Sequence, residues 1–260
     1  MNNSQIGFFD SGVGLFSILK ETKKLLPREN FVIFADQGHN PYGEKTKSQI
    51  IRYAKDATNF LIKKHKIKMM VLACNTATVL ALESLRKKFD IPIVGTVPAV
   101  KPAFGTSKDT RVAIMSTPAT AKSKYLASLI KDFGDNSRTF KVGCAGLEEA
   151  IEYGNERLIF ATLDFYLAKI KKFKPDVIVL GCTHYPLVKN RIKSSLPKAK
   201  IIDSGQAIAR RIKDILIGTN SLSKKKIGDI YYTTGDPRIF SKITGDLLKS
   251  KIEAEYAQVS

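Results

Sequence analysis

The sequence predicts an α/β protein of two similar three-layer domains with mainly parallel sheets. Three observations carry that expectation. Short apolar runs alternate with longer amphipathic stretches along the 260 residues, as expected of strand–helix–strand units. Two of the runs end alike, in Val71-Leu72-Ala73-Cys74-Asn75-Thr76 and Val179-Leu180-Gly181-Cys182-Thr183-His184. Between them lies a Pro- and Gly-containing break, Val97-Pro98-Ala99-Val100-Lys101-Pro102-Ala103-Phe104-Gly105, read as the first hinge between two domains.

Short Val- and Ile-rich runs of two to five residues read as strands buried on both faces. They fall at 6–9, 31–35, 69–73, 91–94, 112–116, 177–181 and 201–202. Helical periodicity fills the spaces at 14–26, 48–64, 77–89, 121–133, 158–173, 187–196 and 207–217. The expected domains are residues 1–97 with 207–260, carrying Asp10 and Cys74, and residues 98–206, carrying Cys182 and His184.

Composition narrows the function classes. The formal charge is +19, from 43 Lys+Arg against 24 Asp+Glu. The cations are scattered over helical segments, the densest run is Lys224-Lys225-Lys226, and no Arg–aromatic interleaving suggests base stacking. No specific nucleic-acid partner is expected. Three cysteines make an odd count, and the three histidines, His39, His65 and His184, do not cluster with them at zinc spacing. No metal and no cofactor is expected. The first residues lack a charged segment followed by an apolar one, and no apolar run approaches the roughly 20 residues that span a bilayer. The expectation is a cytoplasmic protein without a membrane partner.

The two cysteines dominate the chemistry. Each ends a strand, where open α/β sheets build their sites. Each is followed by helix-capping residues, and a helix N-terminus lowers a thiol pKa from about 8.5. Two such ends facing one another would set one thiol on each side of a small substrate, an arrangement suited to removing a proton from one face of a carbon and returning it on the other. His184 can relay a proton to Cys182; Asp10 is the matching group for Cys74. Cys144 has no such company and reads as structural.

Other motifs add candidates. Asp10-Ser11-Gly12-Val13-Gly14 follows the first strand and opens a helix. Ser17 stands where the dinucleotide fingerprint needs glycine, yet Asp36 lies about 20 residues on, where a ribose-binding acid would sit. A dinucleotide-binding protein is therefore a rival, although Asp10 would aim negative charge at the pyrophosphate. In Pro41-Tyr42-Gly43, Tyr42 is a candidate lid residue. Thr117 and Thr120 follow another strand, where their hydroxyls either hold a carboxylate or cap a helix.

With these motifs placed, the chain resembles the cofactor-independent aspartate/glutamate racemase superfamily, and the glutamate racemases within it. The matching pieces are the Asp10–Gly14 and Pro41–Gly43 blocks, Ala73-Cys74-Asn75-Thr76-Ala77, Thr117-x-Ala119-Thr120, Gly181-Cys182-Thr183-His184-Tyr185-Pro186 and Thr233-Thr234-Gly235-Asp236. The resemblance implies an active site in the cleft between the domains and a homodimer. It implies Cys74 and Cys182 as paired acid/bases acting on both enantiomers of glutamate, assisted by Asp10, His184 and Glu152. Substrate contacts would come from Asp10, Ser11, Tyr42, Gly43, Asn75, Thr76, Thr117, Thr120, Thr183 and His184. Two places depart from the family pattern: Leu15 stands for a glycine, and 145–151 reads Ala-Gly-Leu-Glu-Glu-Ala-Ile, which puts Glu148 and Glu149 close to the Glu152 position. The alternatives are an aspartate or hydantoin racemase and a non-catalytic basic dinucleotide- or nucleic-acid-binding protein.

Overall fold

The computed structural model describes residues 4–105 and 109–259. The chain forms two compact units, one built from the chain up to Thr96 and again from Gly205 on, the other from Val97–Ser204. Unit 1 begins with β1 (Ile6–Asp10), α1 (Phe16–Leu25), β2 (Phe31–Ala35), α2 (Lys47–His65), β3 (Met69–Leu72), α3 (Asn75–Lys88) and β4 (Ile93–Gly95). Unit 2 contains α4 (Val100–Phe104), β5 (Val112–Ser116), α5 (Pro118–Ala121), α6 (Lys124–Phe133), β6 (Thr139–Gly143), α7 (Leu147–Glu152), α8 (Glu156–Phe173), β7 (Val177–Gly181), α9 (Lys189–Ser195) and β8 (Lys200–Ile202). The chain then completes unit 1 with α10 (Gly205–Gly218), β9 (Ile230–Thr233), α11 (Pro237–Leu248) and β10 (Ala254–Tyr256).

Every strand pairing described is parallel. Sheet order is β10-β9-β2-β1-β3-β4 in unit 1 and β6-β5-β7-β8 in unit 2. The inner part of the first sheet and the whole of the second share one plan, with the second strand of the set on one side of the first and the third and fourth on the other. The chain therefore reverses its direction of winding beside the first strand, and the carboxyl ends of the first and third strands flank a switch point. Asp10 and Cys74 stand there in unit 1. Thr117 and Cys182 stand there in unit 2.

Strand side chains alternate between two cores. Phe8, Phe31, Ile33 and Val71 face Phe16, Leu19, Ile212 and Phe240. Phe9, Val32, Phe34 and Met70 face Ala57, Leu61, Ala81 and Leu85 of α2 and α3. Unit 2 repeats the three layers, with Met115, Ile178 and Leu180 against α7–α9 and Val112, Ile114 and Val179 against α4 and α6. Leu15, the departure from the family glycine, is fully buried in the first of these cores.

The structure corrects several expectations. The chain crosses between the units at Thr96–Val97, where the segment read as the first hinge begins, but most of that segment is helix α4, whose Val100 and Phe104 are buried in a unit-2 core. The single helix expected at 121–133 is two, because Ser123 caps a new start by accepting from Leu126 N at 3.1 Å. Strands β6, β9 and β10 were not expected. β6 and β10 are edge strands with half-exposed or exposed residues, so they lack the continuous apolar run.

A buried ion pair fastens the returning chain to the other end of the first sheet. Glu29, just before β2, meets Lys68, just before β3, at 2.7 Å with both side chains almost fully buried. Ser223 donates to Glu29 from N at 2.7 Å and from Oγ at 2.9 Å, and Lys68 donates to Ser221 O at 2.6 Å. Breaking such a pair strands a charge in a dry site. Lys68→Met should therefore lower unfolding free energy by about 3–5 kcal/mol, read from urea unfolding with an unchanged slope; a loss under about 1 kcal/mol would contradict the role of the pair.

Candidate active site

Cys74 lies just past β3 and is itself the N-cap of α3, its Sγ accepting from Ala77 N at 3.4 Å. Beside it are two buried polar residues from the end of β1. Ser11 N donates to Asp10 Oδ1 at 2.7 Å, Ser11 Oγ donates to the same oxygen at 3.2 Å, and Ser11 Oγ lies 3.8 Å from Cys74 Sγ. One hydroxyl proton cannot serve both neighbours. While Ser11 donates to Asp10 it can accept from the thiol; once Cys74 is a thiolate, the hydroxyl can turn and donate to sulfur. Thiol, hydroxyl and carboxylate form a chain along which a proton can shift.

Cys182 directly follows β7. Gly181 is needed there because a Cβ would come within 3.0 Å of Met115 O and 3.2 Å of Ser116 Cβ on β5. No α-helix N-terminus serves this thiol. A 3₁₀ turn, Tyr185–Val188, separates it from α9. The expected lowering of its pKa is thus reversed, for burial pushes the thiol up, with His184 pulling back and Glu148 adding to the rise. His184 Nδ1 lies 3.8 Å from Cys182 Sγ, and its Nε2 lies 2.6 Å from Glu152 Oε2. Burial alone would lower the imidazole pKa, but its bonds to Cys182 and Glu152 more than compensate and hold it well above its usual range.

Glu152 reaches His184 because of the local turn. Gly146 caps α7 in the left-handed region at φ 75°, which suits glycine. Leu147, Ala150 and Ile151 then bury in the core, and Glu148 and Glu152, one helical turn apart, are buried with them. Glu149 is exposed. Sequence spacing left these three acids close to one another; burial and the bond to His184 single out Glu152.

The remaining candidates divide. Asn75 and Thr76 open α3 and are buried, with Asn75 Nδ2 donating to Thr96 O at 3.1 Å. Thr183 is buried between Cys182 and His184. Thr117 caps α5, accepting from Thr120 N at 3.3 Å and donating to Thr120 Oγ1 at 3.1 Å. Tyr42 and Gly43 form a short 3₁₀ turn. Tyr42 is no lid, since it is fully buried and its hydroxyl donates to Asp36. Asp36 was the proposed ribose acid. It also accepts from Thr234 and His39, which removes the best support for the dinucleotide alternative. Among the described residues no group of three or more His, Cys, Asp or Glu could hold a metal ion, and no helix is long and apolar enough to cross a membrane.

The third cysteine behaves differently. Cys144 is buried in unit 2, and its thiol is pushed up to about 12, chiefly by burial. At pH 8 only about one such thiol in 10⁴ is ionised. Iodoacetamide at that pH should leave Cys144 unmodified in the folded protein by peptide mass spectrometry, and Cys144→Ala should keep kcat/KM within about twofold. Rapid alkylation of Cys144 would contradict its assignment as structural.

In each unit a buried thiol stands at a parallel-strand end beside its own polar helper. Residues 20–212 match the family described as Asp/Glu/Hydantoin racemase, and the chain belongs to that family. It is an isomerase of the racemase class. Its relatives include a glutamate racemase of Clostridium botulinum, 39% identical over 88% of this chain and 91% of the relative. Among solved structures, a Bacillus anthracis glutamate racemase isoform superposes with a TM-score of 0.89 at 26% identity, covering 99% of this chain and 98% of that one. The Escherichia coli glutamate racemase, in complex with L-glutamate and the activator UDP-MurNAc-ala, gives 0.83 at 29% identity, with 99% of each chain covered.

Proposed function

We propose that this racemase interconverts L- and D-glutamate by two-base proton transfer at Cα, with Cys74 and Cys182 each serving one face, and supplies D-glutamate for peptidoglycan. The relatives support the substrate. The observation that carries the mechanism is that each thiol ends a corresponding strand and has its own buried helper chain, Ser11–Asp10 for Cys74 and His184–Glu152 for Cys182. The same reading places the enzyme in the cytoplasm as a homodimer, needing no cofactor or metal and binding no specific nucleic acid.

Two bases answer the symmetry of the task. Either enantiomer must serve as substrate, so each face needs a group that can remove a proton and a group that can return one. From L-glutamate, the Cys182 thiolate takes the α-proton, charge spreads onto the substrate carboxylate, and the Cys74 thiol delivers a proton to the opposite face. From D-glutamate the roles exchange. Burial disfavours a free thiolate at Cys182, and a protonated His184 beside it offsets that penalty. Asn75, Thr76, Thr117, Thr120 and Thr183, with the Tyr42–Gly43 backbone, are the remaining substrate contacts in this reading. Proton transfer by positioned groups contributes roughly 10²–10⁴-fold, and donors preorganised at the developing enediolate supply the larger remainder.

Circular dichroism of L-glutamate incubated with dialysed, chelator-treated protein tests the activity directly; the signal should decay to zero without any added cofactor. Cys74→Ser and Cys182→Ser should each lose at least about 10²-fold. Full activity in either variant would sink the two-cysteine assignment.

The helpers should differ by direction. Since the two enantiomers are equal in free energy, kcat/KM must fall equally in both directions for any variant. His184→Asn should raise the primary isotope effect with α-deuterated L-glutamate and Asp10→Asn that with α-deuterated D-glutamate, and identical isotope effects together with identical kcat losses from both enantiomers, in both variants, would refute the pairing of helpers with thiols. Glu152 sets a further expectation. It helps hold the His184 imidazole above its usual range, so the imidazolium persists as pH rises. In Glu152→Gln the proton should leave at lower pH, shifting the alkaline limb of kcat downward; an unmoved limb would show that the imidazolium plays no part.

A further inference from the structure

We propose that Asp36 is a positioning residue for the Cys74 side of the reaction, acting through Tyr42. The inference rests on the reading of Cys74 as one of the two bases. Asp36 stands one residue past β2 at its carboxyl end and is almost fully buried. Its carboxylate is enclosed by donors from three places. Tyr42 Oη donates to Oδ2 at 2.5 Å, Thr234 Oγ1 donates to Oδ1 at 2.7 Å, and His39 Nδ1 lies 2.9 Å and 3.1 Å from the two oxygens. A buried carboxylate is tolerated when such donors satisfy it. With its oxygens turned to these partners, Asp36 does not serve a substrate. What it does is fix the partners.

Of these partners, Tyr42 leads to the thiol. Its ring lies 6.1 Å from that of Phe9 and shares a core with Phe9 and Cys74. Phe9 directly precedes Asp10, and its carbonyl accepts from Ala73 N at 2.8 Å and from Cys74 N at 3.4 Å. Burial first, and then the Asp36 carboxylate that accepts its proton, hold the Tyr42 hydroxyl pKa well above the usual range, with Cys74 and Asp10 adding to the rise. The phenol therefore stays a neutral donor whose proton is committed to Asp36. Thr234 ties the arrangement to the chain's return after β9, and His39, stacked on Tyr53 with 3.8 Å between ring centroids, ties it to α2. Asp36 is thus the anchor that sets the ring packed in one core with Phe9 and Cys74.

Asp36→Asn replaces an acceptor-only group by one that is half donor, which cannot hold all three partners. Small misplacement of a reacting group costs up to about 10²-fold, so kcat/KM should fall about 10- to 100-fold, equally for both enantiomers. The discriminating readout is the isotope effect. Slowing the Cys74 step makes it more fully rate-limiting in both directions. With α-deuterated D-glutamate, whose deuteron Cys74 removes, the effect should rise; with α-deuterated L-glutamate it should fall. Tyr42→Phe should move both effects the same way, and the double variant should lose no more than Asp36→Asn alone, because the two act as one unit. Thr234→Val, which removes one anchor without a change of charge, is the milder variant should Asp36→Asn fail to fold, and it should shift the isotope effects in the same directions. Lower thermal stability with wild-type isotope effects would overturn the proposal, as would additive losses in the double variant. Wild-type protein and Cys74→Ser run alongside separate the two levels. No glutamate turnover by the wild type, or full activity in Cys74→Ser, removes the underlying reading and this proposal with it; turnover with unaltered isotope effects in the Asp36 and Thr234 variants removes this proposal alone.

Discussion

The site depends on one constraint of parallel sheets: polar chemistry can be delivered at a switch point, where the carboxyl ends of adjacent strands part and helices leave in opposite directions. Both units meet it with the same strand plan. In unit 1 the flanking residues are Asp10 and Cys74, and in unit 2 Thr117 and Cys182. Everything below those residues is apolar strand packed on both faces. The thiols are therefore held by backbone that has little room to move, and their environments are fixed before any substrate arrives.

The two units fill the shared plan differently. Unit 1 places its carboxylate on the first strand and reaches the thiol through a serine hydroxyl. Unit 2 has a threonine at that strand end, and its helper comes from the third strand itself, as an imidazole backed by a glutamate from α7. The Cys74 side caps a helix of 14 residues, whereas Cys182 is followed only by a 3₁₀ turn. In the proposed mechanism a protonated His184 beside Cys182 takes the part that a helix N-terminus does not play there. A duplicated backbone thus carries two unlike solutions for poising a thiol.

How much of this was legible in the sequence follows from how local each feature is. Cys74 and Cys182 were readable because a short apolar run fixes a strand and the next residue is then at its end. Asp10, Ser11 and His184 were readable for the same reason, lying within three residues of such an end. Glu152 was harder to single out, because its place depends on the left-handed turn at Gly146 and on which face of α7 is buried. The Asp36–Tyr42–Thr234 cluster and the Glu29–Lys68 pair were invisible, since each joins residues far apart in sequence. Asp36 even suggested a ribose acid by spacing alone, and only its partners show otherwise. Strands β6 and β10 escaped because an edge strand need not be apolar on both faces, and the hinge proline segment hid a helix because Pro102 falls within a run whose apolar residues nonetheless pack into unit 2.

The central claim is that two different groups handle the two faces of one carbon. It is tested most directly by following the α-position during the first turnovers of L-glutamate in deuterium oxide, with both enantiomers resolved by chiral separation and mass spectrometry. If one thiol removes the proton and the other, equilibrated with solvent, replaces it, the newly formed D-glutamate carries deuterium while the remaining L-glutamate still carries protium. D-glutamate that retains the original protium would mean that a single base carries the proton from face to face, and would contradict the account.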